Sequence, residues 1–290
     1  VRRHGFADDT QLYNRLSLRK EGEQELQLQT MQDCVADVRT WMTLNKLKLN
    51  DSKTEVMVIT KKRDSELVKH MTFQIGDEVI KPTPVAKNLG AAIDKVLSME
   101  PQVNNVTRSM YFNLRRIAKV KHHLTQEARA KAINATVLSR LYFHNGLLLG
   151  LPDKSIHKLQ VAQNNAARIL TGTSRREHIS PVLHHLHWLP VRQRITFKVL
   201  TTIQKTLHRS SAPAYLKDLC PVHQPQRALR SSTDTWRLEV SKSSNKYGDR
   251  SIRTLGARLW NDLPANIRGP CTQPTFRKHL KTLLFRQAYE

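Results

Sequence analysis

Cysteine is scarce. Cys34, Cys220 and Cys271 lie far apart in a chain of 290 residues, with no pair at the spacing of a zinc site and an odd total for a disulfide framework. The sequence therefore predicts neither a disulfide scaffold nor a cysteine knuckle, and a reducing intracellular setting is the simplest reading. No run of about 18 apolar residues is present and the first residues hold no long apolar segment, so neither a membrane span nor a signal peptide is readable. Acidic residues are short over one stretch. Residues 101–211 hold 18 Lys and Arg against 3 Asp and Glu, whereas residues 1–100 hold 16 against 15 and residues 212–290 hold 14 against 6. A polyanionic partner is expected across the middle and C-terminal parts of a chain whose net charge is +24. With 39% hydrophobic residues, the chain can supply cores for two or three small domains.

Phe6-Ala7-Asp8-Asp9 sets two adjacent carboxylates between short apolar runs. Arg3 to Phe6 reads as a strand, Ala7-Asp8-Asp9 as a turn and Thr10 to Tyr13 as the returning strand. Neighbouring Asp residues repel, and a tip that holds both suits a divalent cation such as Mg²⁺, which takes oxygen ligands. Asp pairs are also ordinary turn residues.

Further along, Glu21 to about Leu44 carries Leu26, Met31, Val35, Val38 and Trp41-Met42 near helical spacing, which predicts an amphipathic helix on a sheet. Thr54 to Thr60 reads as a buried strand, Phe73 to Ile80 as a hairpin turning at Gly76-Asp77, and the segment near Leu89-Gly90 as another strand. From Pro101 the period changes. Val103, Val106, Met110, Leu114, Ile117 and Val120 form a regular stripe, with Arg108, Arg115, Arg116, Lys119 and Lys121 at the remaining positions. Thr125 is a candidate N-cap for a helix to about Phe143; Pro152-Asp153 opens another that stops near Gly172. Pro190 starts a helix to about His208 and Pro213 a shorter one. Residues 221–250, with Ser231-Ser232, read as a long loop with one short strand around Trp236–Val240, and helices near 254–262 and 275–287 close the chain. The expected class is α+β.

Several blocks in this order carry more information than any one of them: Phe6-Ala7-Asp8-Asp9, Trp41 to Asn50, Lys53 to Ile59, Asn88-Leu89-Gly90, Leu186-His187-Trp188-Leu189-Pro190-Val191, and Leu259-Trp260-Asn261-Asp262-Leu263-Pro264. Together they resemble the C-terminal portion of a reverse transcriptase from a LINE-like, non-LTR retrotransposon of the jockey type, over nearly the whole chain. The resemblance implies a palm remnant in residues 1–98, a helical thumb in 99–173 and a basic, mostly helical extension in 174–290. It implies Asp8 as the principal Mg²⁺ ligand with Asp9 beside it, Lys53 as the group that protonates the leaving pyrophosphate, and Leu89-Gly90 as a primer grip. The implied partners are an RNA template and RNA–DNA hybrid or DNA, and the implied location is the nucleus. In the family a further Asp on an earlier palm strand completes the two-metal site. That strand and the fingers are absent, so the expectation is a fragment without polymerase activity by itself and with weak or no Mg²⁺ binding. Val1 in place of Met fits a chain cut from a longer reading frame.

Rival readings stand beside these. Lys53 also suits a solvated surface position, and Gly90 an ordinary turn. His178, His184, His185 and His187 are dense, yet without Cys or a carboxylate nearby they read as packing or phosphate contacts before metal ligands. Tyr111, Tyr142 and Trp188 are candidates for base stacking, with the core the better expectation for the two tyrosines. A non-catalytic nucleic-acid-binding protein, a decayed or domesticated remnant, is the alternative to the polymerase fragment. The excess of cations over residues 101–211 is expected to need a polyanion or counterions, because self-repulsion opposes compaction.

Overall fold

The computed structural model describes residues 1–75, 78–209, 211–224 and 236–290. The chain is mixed α and β and divides into two compact units, residues 1–98 and 99–290. No helix among the described residues is long and apolar enough to cross a membrane.

The first unit is a set of hairpins with one long helix. β1 (Arg2–Phe6) pairs antiparallel with β2 (Asp9–Tyr13), α1 (Glu21–Leu44) follows, then come β3 (Phe73–Ile75) with β4 (Glu78–Ile80) and β5 (Val85–Asn88) with β6 (Ala91–Asp94). Among the described residues no strand ladder joins the three ribbons, so the single small sheet expected for a palm is replaced by three two-stranded pieces. The turn expected at Gly76-Asp77 lies outside the described residues, although the strands flanking it pair.

Thr54 to Thr60 is extended but is not a strand. The Thr83 amide donates to the Val56 carbonyl at 2.8 Å and the Thr60 amide to the Lys95 carbonyl at 2.9 Å, while the Glu55 carboxylate takes the Lys87 amide at 3.3 Å. A side chain thus occupies a place that a ladder would give to a backbone carbonyl. The strand expected near Leu89-Gly90 is a pair, β5 and β6, with Leu89-Gly90 as the loop between them.

Helix α1 matches its expected bounds but not its expected burial. Leu26, Trp41 and Leu44 are exposed, and Leu28 is the residue that joins the small cluster of Val58, Val68, Met71 and Phe73. A two-stranded ribbon is marginal in water without a packed face, and β1–β2 has no buried side chain, so the apolar support of this unit is thin.

The second unit is helical, and its elements follow the punctuation of the sequence. α2 (Glu100–Val120) is followed by α3 (Gln126–Ile133), a π turn at Asn134–Leu138 and α4 (Ser139–Tyr142). Thr125 caps α3 by accepting from the Ala128 amide at 3.2 Å. α5 (Asp153–Thr171) starts after Pro152 and ends at Gly172, whose φ of 81° is the left-handed value that favours glycine. Then come α6 (Ser180–His185), α7 (Val191–His208) behind Pro190 and α8 (Ala214–Leu219) behind Pro213.

Past residue 220 the loop reading is partly replaced. α9 (Lys246–Asp249) forms because the Asn245 side chain accepts from the Tyr247 and Gly248 amides. The strand expected around Trp236–Val240 is a single antiparallel bridge between Val222 and Leu238, and Ser231-Ser232 lies outside the described residues. A π turn at Ile252–Gly256, α10 (Ala257–Asn261), α11 (Ala265–Arg268) and α12 (Gln273–Tyr289) complete the chain.

One continuous core fills this unit. Val103, Val106, Met110, Leu114 and Ile117 of α2 face Leu159, Ala162, Ala166, Ala167 and Leu170 of α5, where the alanines leave room for neighbouring helices. Trp260 is fully buried, with its ring centroid 5.8 Å from that of Phe276, and its Nε1 donates to the Trp236 carbonyl at 2.7 Å. Asn261 exchanges two 2.8 Å bonds with the Leu238 backbone, imitating a strand partner.

Arg129 ties helix ends together. Its guanidinium donates to the Ile169 and Leu170 carbonyls at the C-terminus of α5 and to the Lys121 and Leu124 carbonyls after α2, at 3.0–3.3 Å. A cation is favoured there because the orphan carbonyls of a helix end carry partial negative charge. We predict that Arg129→Met lowers the unfolding free energy by about 2–3 kcal/mol in urea titration, since hydrogen bonds to charged groups are worth ~1.5–3 kcal/mol and several are lost together. A change under about 0.5 kcal/mol, the size of an ordinary surface substitution, would show that these bonds do not hold the helices.

Candidate nucleic-acid interface

Asp8 lies in the expected turn, whereas Asp9, expected in the turn as well, is the first residue of β2. Phe6 pairs with Asp9, leaving Ala7-Asp8 as a two-residue loop, and Ala7 takes a φ of 53°. Both carboxylates are exposed. Among the described residues no group of three or more His, Cys, Asp or Glu comes together as a metal site. Two adjacent exposed carboxylates do not make a two-metal centre, so the residues present do not fit the implied Mg²⁺ pair and no catalytic step is derived through it.

Lys53 ends a short 3₁₀ turn, Asp51–Lys53, and is exposed. Leu89 and Gly90 form the β5–β6 loop with φ values of 47° and 83°. Positive φ at both loop positions is the type I′ requirement, met without cost by Gly90 but with strain by Leu89. Gln11 of β2 donates to the Asn88 side chain at 2.6 Å, so the strand that follows the carboxylate tip is tied to the strand end before this loop.

The strongest arrangement is on α2. At about 100° per residue, positions 108, 112, 115, 116 and 119 fall within about 100° of one another, opposite the buried stripe. Arg108, Arg115, Arg116 and Lys119 are exposed; Lys121, just past the helix, is half-buried and lends its carbonyl to Arg129. Arg116 stands 5.7 Å over the ring of Phe112, itself exposed. Among the described residues none of these five cations has an ion-pair partner. From Arg108 to Lys119 the row runs about 16 Å along the axis. Residues 99–290 hold 32 Lys and Arg against 10 Asp and Glu, so the helical unit carries +22 of the net charge of +24.

Of the aromatic candidates, Tyr111 is half-buried and accepts from Asn165 at 2.9 Å. Tyr142 is 47% exposed, against the expectation of a core position, because the helix that carries it ends there and the ring lies outside. Trp188 is buried. All four histidines are exposed, and the rings of His184 and His187 lie 5.0 and 5.6 Å from that of Phe285, against which they pack. Cys220 is buried and free, and burial pushes its thiol up to about 11, which removes it as a nucleophile.

Residue-type patterns passed over Arg194. It is only 5% exposed, and its signal in the sequence is the helical spacing that sets it three residues after Val191 on the buried face of α7. Burial pulls its guanidinium down to about 10, which leaves it a cation at neutral pH, and Tyr289 beside it is pushed up to about 12 by burial.

Two outcomes follow for the first unit. Leu89→Asn relieves the positive φ and is expected to raise unfolding stability by about 1 kcal/mol in chemical denaturation; a loss would mean that Leu89 packing outweighs the strain. Titration of the chain with Mg²⁺ by calorimetry is expected to give no tight stoichiometric site, and a tight one would show that further ligands converge on Asp8-Asp9. No protein-family model, curated protein or solved structure matches this chain.

Proposed function

We propose that the chain is a nucleic-acid-binding C-terminal portion of a non-LTR type RNA-directed DNA polymerase, taking RNA–DNA hybrid or duplex on the outward face of α2 and lacking polymerase activity by itself. The observation that carries this reading is the concentration of charge: the helical unit holds +22, and α2 presents four exposed cations in one row opposite its buried stripe. Such a row meets a phosphate backbone without needing base-specific contacts. The family assignment, with residues 1–98 as palm remnant and 99–173 as thumb, rests on the ordered sequence blocks. Asp8-Asp9 at a hairpin tip and Gly90 in a tight loop agree with it.

A second reading, a non-catalytic nucleic-acid-binding remnant or domesticated protein, is favoured by the isolated carboxylate pair. Both readings share the binding surface. Reading the genomic frame upstream of Val1 separates them: an Asp-bearing palm strand there favours the polymerase, a nearby stop codon the remnant.

Binding is tested by salt dependence. Neutralising about five phosphates gives a slope near −4 to −5 in log affinity against log salt for a B-form duplex. Changing Arg108, Arg115, Arg116 and Lys119 to Gln preserves helix propensity and is expected to shrink that slope by about 3–4 with folding retained. The matching change at Lys61, Lys62, Arg63 and Lys69 is expected to matter less; all four are exposed, but Arg63 already pairs with Asp64 and Lys69 with Glu66. Equal affinities and slopes for the two variants would remove α2 as the binding surface.

A further inference from the structure

Arg194 is a buried cation without a carboxylate. It is 5% exposed, and its Nε donates to the Leu189 carbonyl at 2.6 Å. The guanidinium carbon stands 4.8 Å from the Tyr142 ring centroid and 5.9 Å from that of Trp188. Among the described residues no Asp or Glu pairs with it, and the only ionisable neighbour that favours its charge is the phenol of Tyr289. Its two terminal amino groups make no hydrogen bond among the described residues, and neither is among the fully enclosed polar atoms that lack a partner.

Burying a cation is costly unless something compensates. Two aromatic faces and one carbonyl compensate in part, and up to four N–H donors of a rigid fork are left without a partner among the described residues. That fork matches the geometry of a phosphate more closely than any other common anion in a nucleic acid. Tyr142 adds a second element. With Arg194 against its ring and 47% of the residue exposed, it offers aromatic surface at which an unpaired base can stack.

We propose that Arg194 and Tyr142, backed by Trp188, form a subsite for one unpaired nucleotide of a nucleic-acid strand, the guanidinium taking its phosphate and Tyr142 its base. This rests on the nucleic-acid reading above but uses different residues from the α2 row. The subsite reads single strand, whereas the α2 row reads duplex charge.

The test uses the full chain with a short single-stranded DNA carrying 5-bromouracil, and a duplex of the same length without it. Tyr142→Leu keeps an apolar side chain at an exposed position and so preserves the fold. It is expected to weaken single-strand binding about five- to tenfold while duplex affinity changes little. Arg194→Lys keeps the charge but loses the planar fork, and is expected to show the same selective loss. Irradiation of the single-strand complex followed by peptide mass mapping is expected to place the adduct on Tyr142 or Trp188. Unchanged single-strand affinity in Tyr142→Leu, with adducts mapping elsewhere, overturns the subsite. If the α2 quadruple variant keeps full duplex affinity while Tyr142→Leu still loses single strand, the subsite stands and the α2 surface falls; the reverse pattern sinks the subsite alone.

Discussion

Two neighbouring carbonyls hold the helical unit in register. The Leu189 carbonyl accepts from Gln163 of α5 at 2.9 Å and from Arg194 of α7 at 2.6 Å, and the Trp188 carbonyl accepts from the Tyr289 hydroxyl of α12 at 2.5 Å. Next to them the Val191 amide donates to Gln160 of α5 at 2.8 Å. The short connection between α6 and α7 thus binds to three helices at once. His187, with a φ of 52°, stops one helix, and Pro190 starts the other. Buried polar groups must find partners, and here each that does so also fixes the position of a helix. With α5 placed in this way, the apolar stripe of α2 has a partner and its cationic side is left outward.

Charge and stability are spread unevenly. Residues 1–98 hold 16 Lys and Arg against 14 Asp and Glu, whereas residues 99–290 hold +22. The self-repulsion of that second unit is opposed by the larger of the two cores, which includes Trp260, Phe276, Met110 and Leu280 at full or nearly full burial. The nearly neutral unit has a small cluster around Val58 and Phe73 and leaves Phe6, Trp41 and Leu44 in solvent. A polyanion that neutralises the basic unit would relieve repulsion as it binds, so its affinity and its effect on stability are coupled.

The sequence blocks around Trp188 and Trp260 have structural explanations that need no ligand. Trp188 and Leu189 supply the shared carbonyls; Trp260 fills the core and Asn261 stands in for a strand beside Leu238. These blocks therefore bear on fold, while function has to be argued from surfaces: the α2 row, the Asp8-Asp9 tip and the exposed Tyr142 against which Arg194 stands. Of these, the carboxylate pair is the least complete chemically and the α2 row the most.

Local chemistry was legible along the chain. The 3.6-residue stripe of α2, Thr125 at the cap of α3, Pro152 and Gly172 bracketing α5, and Pro190 before α7 each act on their own turn of backbone, so their effects could be read without knowing the neighbours. The first hairpin was legible for the same reason. Other features were decided only in three dimensions. Thr54 to Thr60 has strand composition, yet Glu55 took a ladder position with its side chain. Leu26 and Trp41 fitted an apolar face that Leu28 occupies instead. Tyr142 was expected in the core and lies outside, and Arg194, a residue type usually solvated, is enclosed. Periodicity reports which side of an element is apolar. Which helix covers that side, and which distant carbonyl or ring meets a buried cation, depends on contacts between residues far apart in sequence, and no local pattern encodes them.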